Sequence, residues 1–219
     1  MEPNRSPWER PWIVGLVLAF FVALHAPGLG WGFFADDWGQ RLVLEQPEEH
    51  LTMRPWNLYD FGELSASNGQ YFEDALFPWW TDASWKARFF RPVSSCVLWL
   101  DHALFGRFAP AHHAMGLAWH ALFLLLALRL FRALGLSPGL AVLALALLAL
   151  EDGAVTSVGW VANRNSVVEG VFTAGALLCA VRARQSGRRA SALGALALAL
   201  LAAGSKESGL AALLGCALF

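Results

Sequence analysis

The stretch WIVGLVLAFFVALHAPGLGW, Trp12 to Trp31, decides what kind of protein this is. It runs 20 residues without an Asp, Glu, Lys or Arg. At about 1.5 Å per residue an α-helix of that length crosses the ~30 Å hydrocarbon core of a bilayer. The spacing predicts a first transmembrane helix over 12–31, behind a cytoplasmic amino terminus over 1–11. Arg5 and Arg10 before an apolar run also fit a signal peptide. Pro27, however, follows Leu24-His25-Ala26 without the small-x-small pattern that cleavage needs, so the span is expected to stay in the chain.

The rest of the chain agrees. Of its 219 residues 57% are hydrophobic and 15% charged, with a mean hydropathy of +0.46, outside the balance of a soluble domain of this size. The formal net charge of −1 supplies no bulk field for nucleic acid, so the expected partner is the lipid bilayer and not a polyanion. Cys96, Cys179 and Cys216 are far apart and the last two lie in apolar runs. They read as buried thiols, with neither disulfide nor zinc spacing.

From Gly32 to Pro110 the character changes, with eleven acids against six Lys or Arg, and seven of the eleven Trp fall between Trp31 and Trp99. The segment 32–110 reads as a large external loop lying along the membrane on interfacial helices. Trp favours the headgroup level because its ring is apolar and its N–H needs a wet partner, which places Pro78-Trp79-Trp80 and Trp85 at the interface. Within the loop, VSSCVLWLDHALF (Val93 to Phe105) repeats apolar residues at Val93, Val97, Leu100 and Leu104, a helical period too short to span.

Residues 111–219 read as transmembrane helices two to six. The runs begin at Ala114, Leu140, Val167, Ser191 and Gly209, and the last is half a crossing. The fold class expected is an all-α polytopic membrane protein of about five to six transmembrane helices. Either the final helix is interfacial or the sequence is the amino-terminal part of a longer protein, and the second is the expectation. Arg129, Arg132 and the four Arg between Arg182 and Arg189 fall on one side of such a bundle. The positive-inside rule makes that side cytoplasmic and the 32–110 loop external.

Chemistry concentrates on the external side. FFADDWGQ (Phe33 to Gln40) places Asp36 and Asp37 at the membrane exit. Two carboxylates this close in a low dielectric cannot both ionise freely, which suits one of them to proton transfer. The same acids also fit the amino terminus of a helix over Trp38 to Glu45. Arg91, before Pro92 and a helix start, offers a fork for a phosphate oxygen or an interfacial anchor. Arg164, flanked by Asn163 and Asn165, sits between two spans, where a charge needs a partner or a ligand. Lys206 and Glu207 form a short turn and read as a solvated ion pair. His112, His113 and His120 show no metal spacing and read as packing or hydrogen-bonding groups, so no metal site is expected.

Together these pieces resemble the type C integral-membrane glycosyltransferases, which use polyprenyl-phosphate-linked sugars. The acid pair is similar to their Asp-Asp or Asp-Glu motif in the first external loop. RFFRPVSSCVLWLDHALFG and AHHAMGLAWHALFLLLALRLF resemble the Arg-Pro helix and His-bearing second span of the protein O-mannosyltransferase-like members. VGWVANRNSVV is similar to their Val-x-Trp-x-x-x-Arg stretch and SKES to their Ser-Lys-Glu turn. Glu151-Asp152 and Thr156 depart from the tetratricopeptide-bearing members, and the nearer likeness is to bacterial members with an acidic pair at that place.

The resemblance implies inverting transfer of a sugar from a polyprenyl-phosphate donor to an external acceptor of unknown identity, in a bacterial inner membrane. It makes Asp36 the principal catalytic acid and Asp37 its partner. It gives Arg91, Arg164, Asn163, Asn165, Lys206 and Glu207 to the lipid phosphate or sugar, and calls for no cofactor or metal. The stretch present is not expected to be active alone. The competing class is a non-catalytic polytopic protein, such as a lipid or solute transporter.

Overall fold

The computed structural model describes residue 8 and residues 10–49, 52–63, 80–82 and 84–219. Helix α1 spans Pro11–His25 and runs on as a 3₁₀ turn over Ala26–Gly30. Pro11 at its first position loses no hydrogen bond, because the first-turn N–H groups have no helical partner. Pro27 ends the α-helical part, since it has no N–H to donate and its ring crowds the preceding turn.

Between this segment and the next long helix lie α2 (Asp36–Glu45), two short antiparallel strands, β1 (Asp60–Glu63) and β2 (Lys86–Arg88), and α3 (Pro92–Phe105). The strands were not foreseen. They are four and three residues long, too short for a periodic signal, and Arg88 pins them by donating from Nε and Nη2 to Asp60 at 2.9 Å. Then follow α4 (Ala109–Ala133), α5 (Pro138–Ala149), α6 (Gly153–Gly159), α7 (Arg164–Ser186), α8 (Arg189–Ser205) and α9 (Leu210–Ala217).

The protein is therefore mainly helical. Among the described residues, Pro11–Gly30, Ala109–Ala133 and Val161–Ser186 are long and apolar enough to cross a membrane. The expected third span is broken: α5 and α6 meet at 57° across Leu150 to Asp152, and counted as one they make a fourth candidate. Glu151 and Asp152 are both exposed there, and carboxylates do not continue an apolar helix through hydrocarbon. Helix α8 has 17 residues and Glu207–Ala217 is shorter still.

Two kinds of packing hold the spans. Phe21, Leu117, Leu124, Leu145, Ala149, Ala154 and Val158 join α1, α4, α5 and α6. Ala176, Ala199, Ala202 and Ala212 join α7, α8 and α9, where small side chains let backbones approach closely without a large hydrophobic drive. The outward faces are apolar at helical spacing, as Leu143 and Leu147 on α5 and Leu193, Leu196 and Leu200 on α8 show. Such faces suit lipid. A third core, Val43, Leu58, Tyr59, Leu98 and Val161, packs α2, the residues before β1 and α3 against the residues just before α7.

One sequence expectation is corrected. Cys96 is exposed and Cys179 and Cys216 are half-buried, all three free; apolar sequence marks lipid-facing surface as readily as core in such a bundle. Trp80 and Trp85 are exposed, whereas Pro78 and Trp79 lie outside the described residues.

Candidate functional site

The acid pair stands on a tight turn. Asp37 N–H donates to Phe34 O at 3.0 Å, and between them Ala35 has φ 46° and ψ −119°. That is the second position of a type II′ turn, where glycine is preferred because a Cβ crowds the backbone. Holding alanine there costs about 1–3 kcal/mol. The helix that follows begins at Asp36, two residues earlier than the sequence pattern indicated.

The two acids differ in burial and in hydrogen bonding. Asp37 is buried, and its Oδ2 accepts from Phe34 N–H at 2.9 Å and its Oδ1 from Ala162 N–H at 2.6 Å. Asp36 is half-buried and, among the described residues, has no hydrogen bond or ion pair; its side chain caps no helix. Burial raises the Asp36 carboxyl above its ordinary value, and the neighbouring Asp37 charge adds to the rise. Burial also raises Asp37, against the opposing pull of the Phe34, Ala162 and Val161 N–H groups and of His113.

Phe33 and Phe34, just before the acids, form one wall of an apolar groove of about 500 Å³, with Trp31, Val155, Gly159 and Trp160 on its other sides. A second hollow of about 170 Å³ continues from it past Trp31 and Val155 to Leu24 and His25. Gly159 makes the groove possible, since a Cβ there would overlap the Trp31 ring. His113 ties the walls together: its Nδ1 lies 2.9 Å from Val158 O and its Nε2 3.1 Å from Trp31 O.

The polar residues before and within α7 turn inward. Arg164 is fully buried; it pairs with Asp101 of α3 and donates through Nη2 to His112 O. Its guanidinium is occupied by that carboxylate and by the His112 carbonyl. Asn165 Nδ2 donates to Ala162 O at 2.9 Å, and Asn163 Nδ2 to Thr156 Oγ1 at 3.2 Å. Both amides stitch the chain where α6 gives way to α7.

On the far side of Tyr59, Arg91 lies over the Phe89 and Tyr59 rings, with centroids 4.5 and 5.0 Å away. It donates from Nε at 3.1 Å and from Nη2 at 2.6 Å to the Glu207 carboxylate. Lys206 Nζ donates to Ser166 Oγ at 2.8 Å. The solvated Lys206–Glu207 pair read from sequence is thus replaced by two contacts with different elements. The backbone at Lys206 is extended, φ −158° and ψ 151°, and extended backbone sends successive side chains to opposite sides.

Tyr59 joins the two halves. Its hydroxyl donates to Ala162 O at 2.8 Å and its ring lies against Arg91. Desolvation pushes this phenol up to about 12, so it donates as a neutral hydroxyl. Sequence reading missed Tyr59 and Asp101. Tyr59 could have drawn notice only as one of two tyrosines in the chain, and Asp101 only as a lone acid in an apolar helical stretch. The histidines have local roles: His112 Nε2 lies 3.0 Å from Gly106 O, and His120 stacks on Phe21 with centroids 4.8 Å apart. No group of three or more His, Cys, Asp or Glu among the described residues is placed to hold a metal.

No protein-family model matches the chain, and no match is found among curated proteins or solved structures.

Proposed function

We propose that this chain carries the donor-binding and proton-accepting face of a membrane glycosyltransferase that uses a polyprenyl-phosphate-linked sugar. The observation that carries the reading is Asp36: an unpartnered, half-buried carboxylate on a strained turn, two residues past the wall of an apolar groove. A lipid-linked sugar keeps its tail in hydrocarbon and its phosphate at the headgroup level. A base serving it must stand at the same edge.

In the reaction, Asp36 takes the proton of an acceptor hydroxyl whose oxygen attacks the anomeric carbon. The bond from that carbon to the lipid phosphate oxygen breaks on the opposite face, with inversion, and the electron pair leaves with the phosphate. Arg91, exchanging Glu207 for the departing phosphate, offsets the charge. Asp37 and Arg164 hold backbone. The reading includes five to six spans, a bacterial inner membrane and an external 32–110 segment. Its orientation predicts that a Cys at Ser84 is labelled in intact cells and one at Gly187 only after permeabilisation; the reverse would put the acid pair on the wrong face.

Sugar transfer to added acceptors by the full-length gene product in membranes tests the activity. Asp36→Asn should lower turnover by about 10² or more with folded protein retained, and wild-type turnover in that variant would end the proposal. The second reading, a non-catalytic lipid or solute transporter, is favoured by one observation, the enclosure of Arg164 on Asp101. Translocation of a lipid-linked sugar without transfer would support it.

A further inference from the structure

We infer that Tyr59 is the positioning residue of the acid turn, acting through the Ala162 peptide. The inference rests on the transferase reading for its catalytic consequence but on geometry for its substance. Ala162 is held on both sides of its Cα: its N–H by Asp37 Oδ1 at 2.6 Å, and its C=O by the Tyr59 hydroxyl at 2.8 Å and Asn165 Nδ2 at 2.9 Å. Ala162 and Tyr59 are themselves buried. With both flanking peptides bonded and the residue buried in a short 3₁₀ turn, Ala162 resists displacement and so fixes where Asp37 Oδ1 sits.

Five sequence-distant residues therefore form one chain of contacts. Asp37 leads to Ala162, Ala162 to Tyr59, and the Tyr59 ring to Arg91, which holds Glu207. Among the described residues the Asp36 side chain has no hydrogen bond, so its placement depends on the turn and helix start that Asp37 helps to close. The hydroxyl and the ring of Tyr59 do separable work: the first fixes the acid turn, the second supports the guanidinium that receives phosphate. Misplacement by about 1 Å at a reacting group is enough to cost a large part of a rate.

The test uses the full chain in membranes, with Cys96, Cys179 and Cys216 replaced by Ala and Asp36→Cys as a reporter of the turn. Adding Tyr59→Phe should raise the rate of Asp36→Cys modification by a small charged methanethiosulfonate about threefold or more, while Ser208→Cys, on the other turn, keeps its rate. Asn165→Ala, which removes the second donor to Ala162, should raise it in the same direction, and the two together more than either; this arm stands even if Tyr59→Phe folds poorly. In the sugar-transfer assay Tyr59→Phe with Asp36 intact should lower kcat about tenfold with KM for the lipid-linked sugar unchanged. Tyr59→Leu should also raise KM.

Unchanged labelling in both Tyr59→Phe and Asn165→Ala would overturn the inference, whatever the activity. A wild-type protein without sugar transfer but with the expected labelling response would overturn the transferase reading and leave the clamp standing. A fall in kcat explained wholly by less folded protein would reduce Tyr59 to a core residue.

Discussion

Asp37 and Ala162, 125 positions apart, share a 2.6 Å hydrogen bond that fastens the segment after the first span to the residues just ahead of α7. The bond runs from a backbone N–H to a buried carboxylate, the stronger class of hydrogen bond. The same carboxylate closes its own turn on Phe34. Adjacent acids have thus taken different work, Asp37 joining elements and Asp36 standing free.

That division predicts unequal losses on substitution. Asp37→Ala removes two acceptors and leaves the buried Ala162 N–H and the part-buried Phe34 N–H unpaired, so it should cost about 2–3 kcal/mol. Asp36→Ala removes no bond and should change stability by less than about 1 kcal/mol, through the helix dipole alone. Thermal unfolding of both variants in detergent checks this; equal losses would mean that Asp36 has a partner after all.

Ala35 supplies a second expectation. Ala35→Gly relieves the strain of φ 46° but adds glycine's unfolded-state freedom, about 0.5–1 kcal/mol. With strain of about 1–3 kcal/mol the net should be a gain in stability. Ala35→Val should lose stability, since a β-branched residue is still less tolerant of positive φ. A glycine variant that melts below the wild type would show that the turn is relaxed.

The raised carboxyls make a statement about pH. Asp36 binds its proton more tightly when folded than its ordinary value of 3.8. Its favourable contribution is therefore complete below that value and is lost as pH rises through the higher folded pKa. Asp36→Asn cannot ionise, so its stability relative to the wild type should grow on raising the pH from about 4 towards 7. Melting temperatures of the pair at several pH values decide it. A difference that grows on acidification would mean the carboxyl is depressed.

Gly159 and Trp31 form a lock that a methyl group would spoil. Gly159→Ala should cost about 1–3 kcal/mol, the usual range for overpacking, and should narrow the groove. Trp31→Ala in the same chain should restore much of the loss. Independent, additive losses in the double variant would show that the two residues do not press on each other.

Much of the fold was legible because membrane spans announce themselves by length. The Trp12 to Trp31 run and the helix from Val93 to Phe105 follow directly from charge-free length and helical period. The break after Leu150 was less visible, because the residues on both sides are apolar and only Glu151 and Asp152 mark it. Of the site, Asp36 and Asp37 were found by their place at the edge of a span. Arg164 drew attention as a charge needing a partner, but the partner, Asp101, lies 63 positions away (164 − 101) on another helix. The Glu207 partner of Arg91 is equally remote, 116 positions along the chain. One sequence shows which residues need partners, and only packing shows who supplies them.

The break between α5 and α6 reaches beyond the protein. Helix α5 has 12 residues, so its axis is about 18 Å long, and two exposed carboxylates follow at once. A lipid alongside it meets an oily belt little more than half the ~30 Å depth of an ordinary bilayer. In a bilayer of that depth, a leaflet beside α5 would have to thin to keep water against Glu151 and Asp152. Such thinning would lie beside α6, whose Val155 and Gly159 border the groove, and would bring headgroups down to the groove's flank.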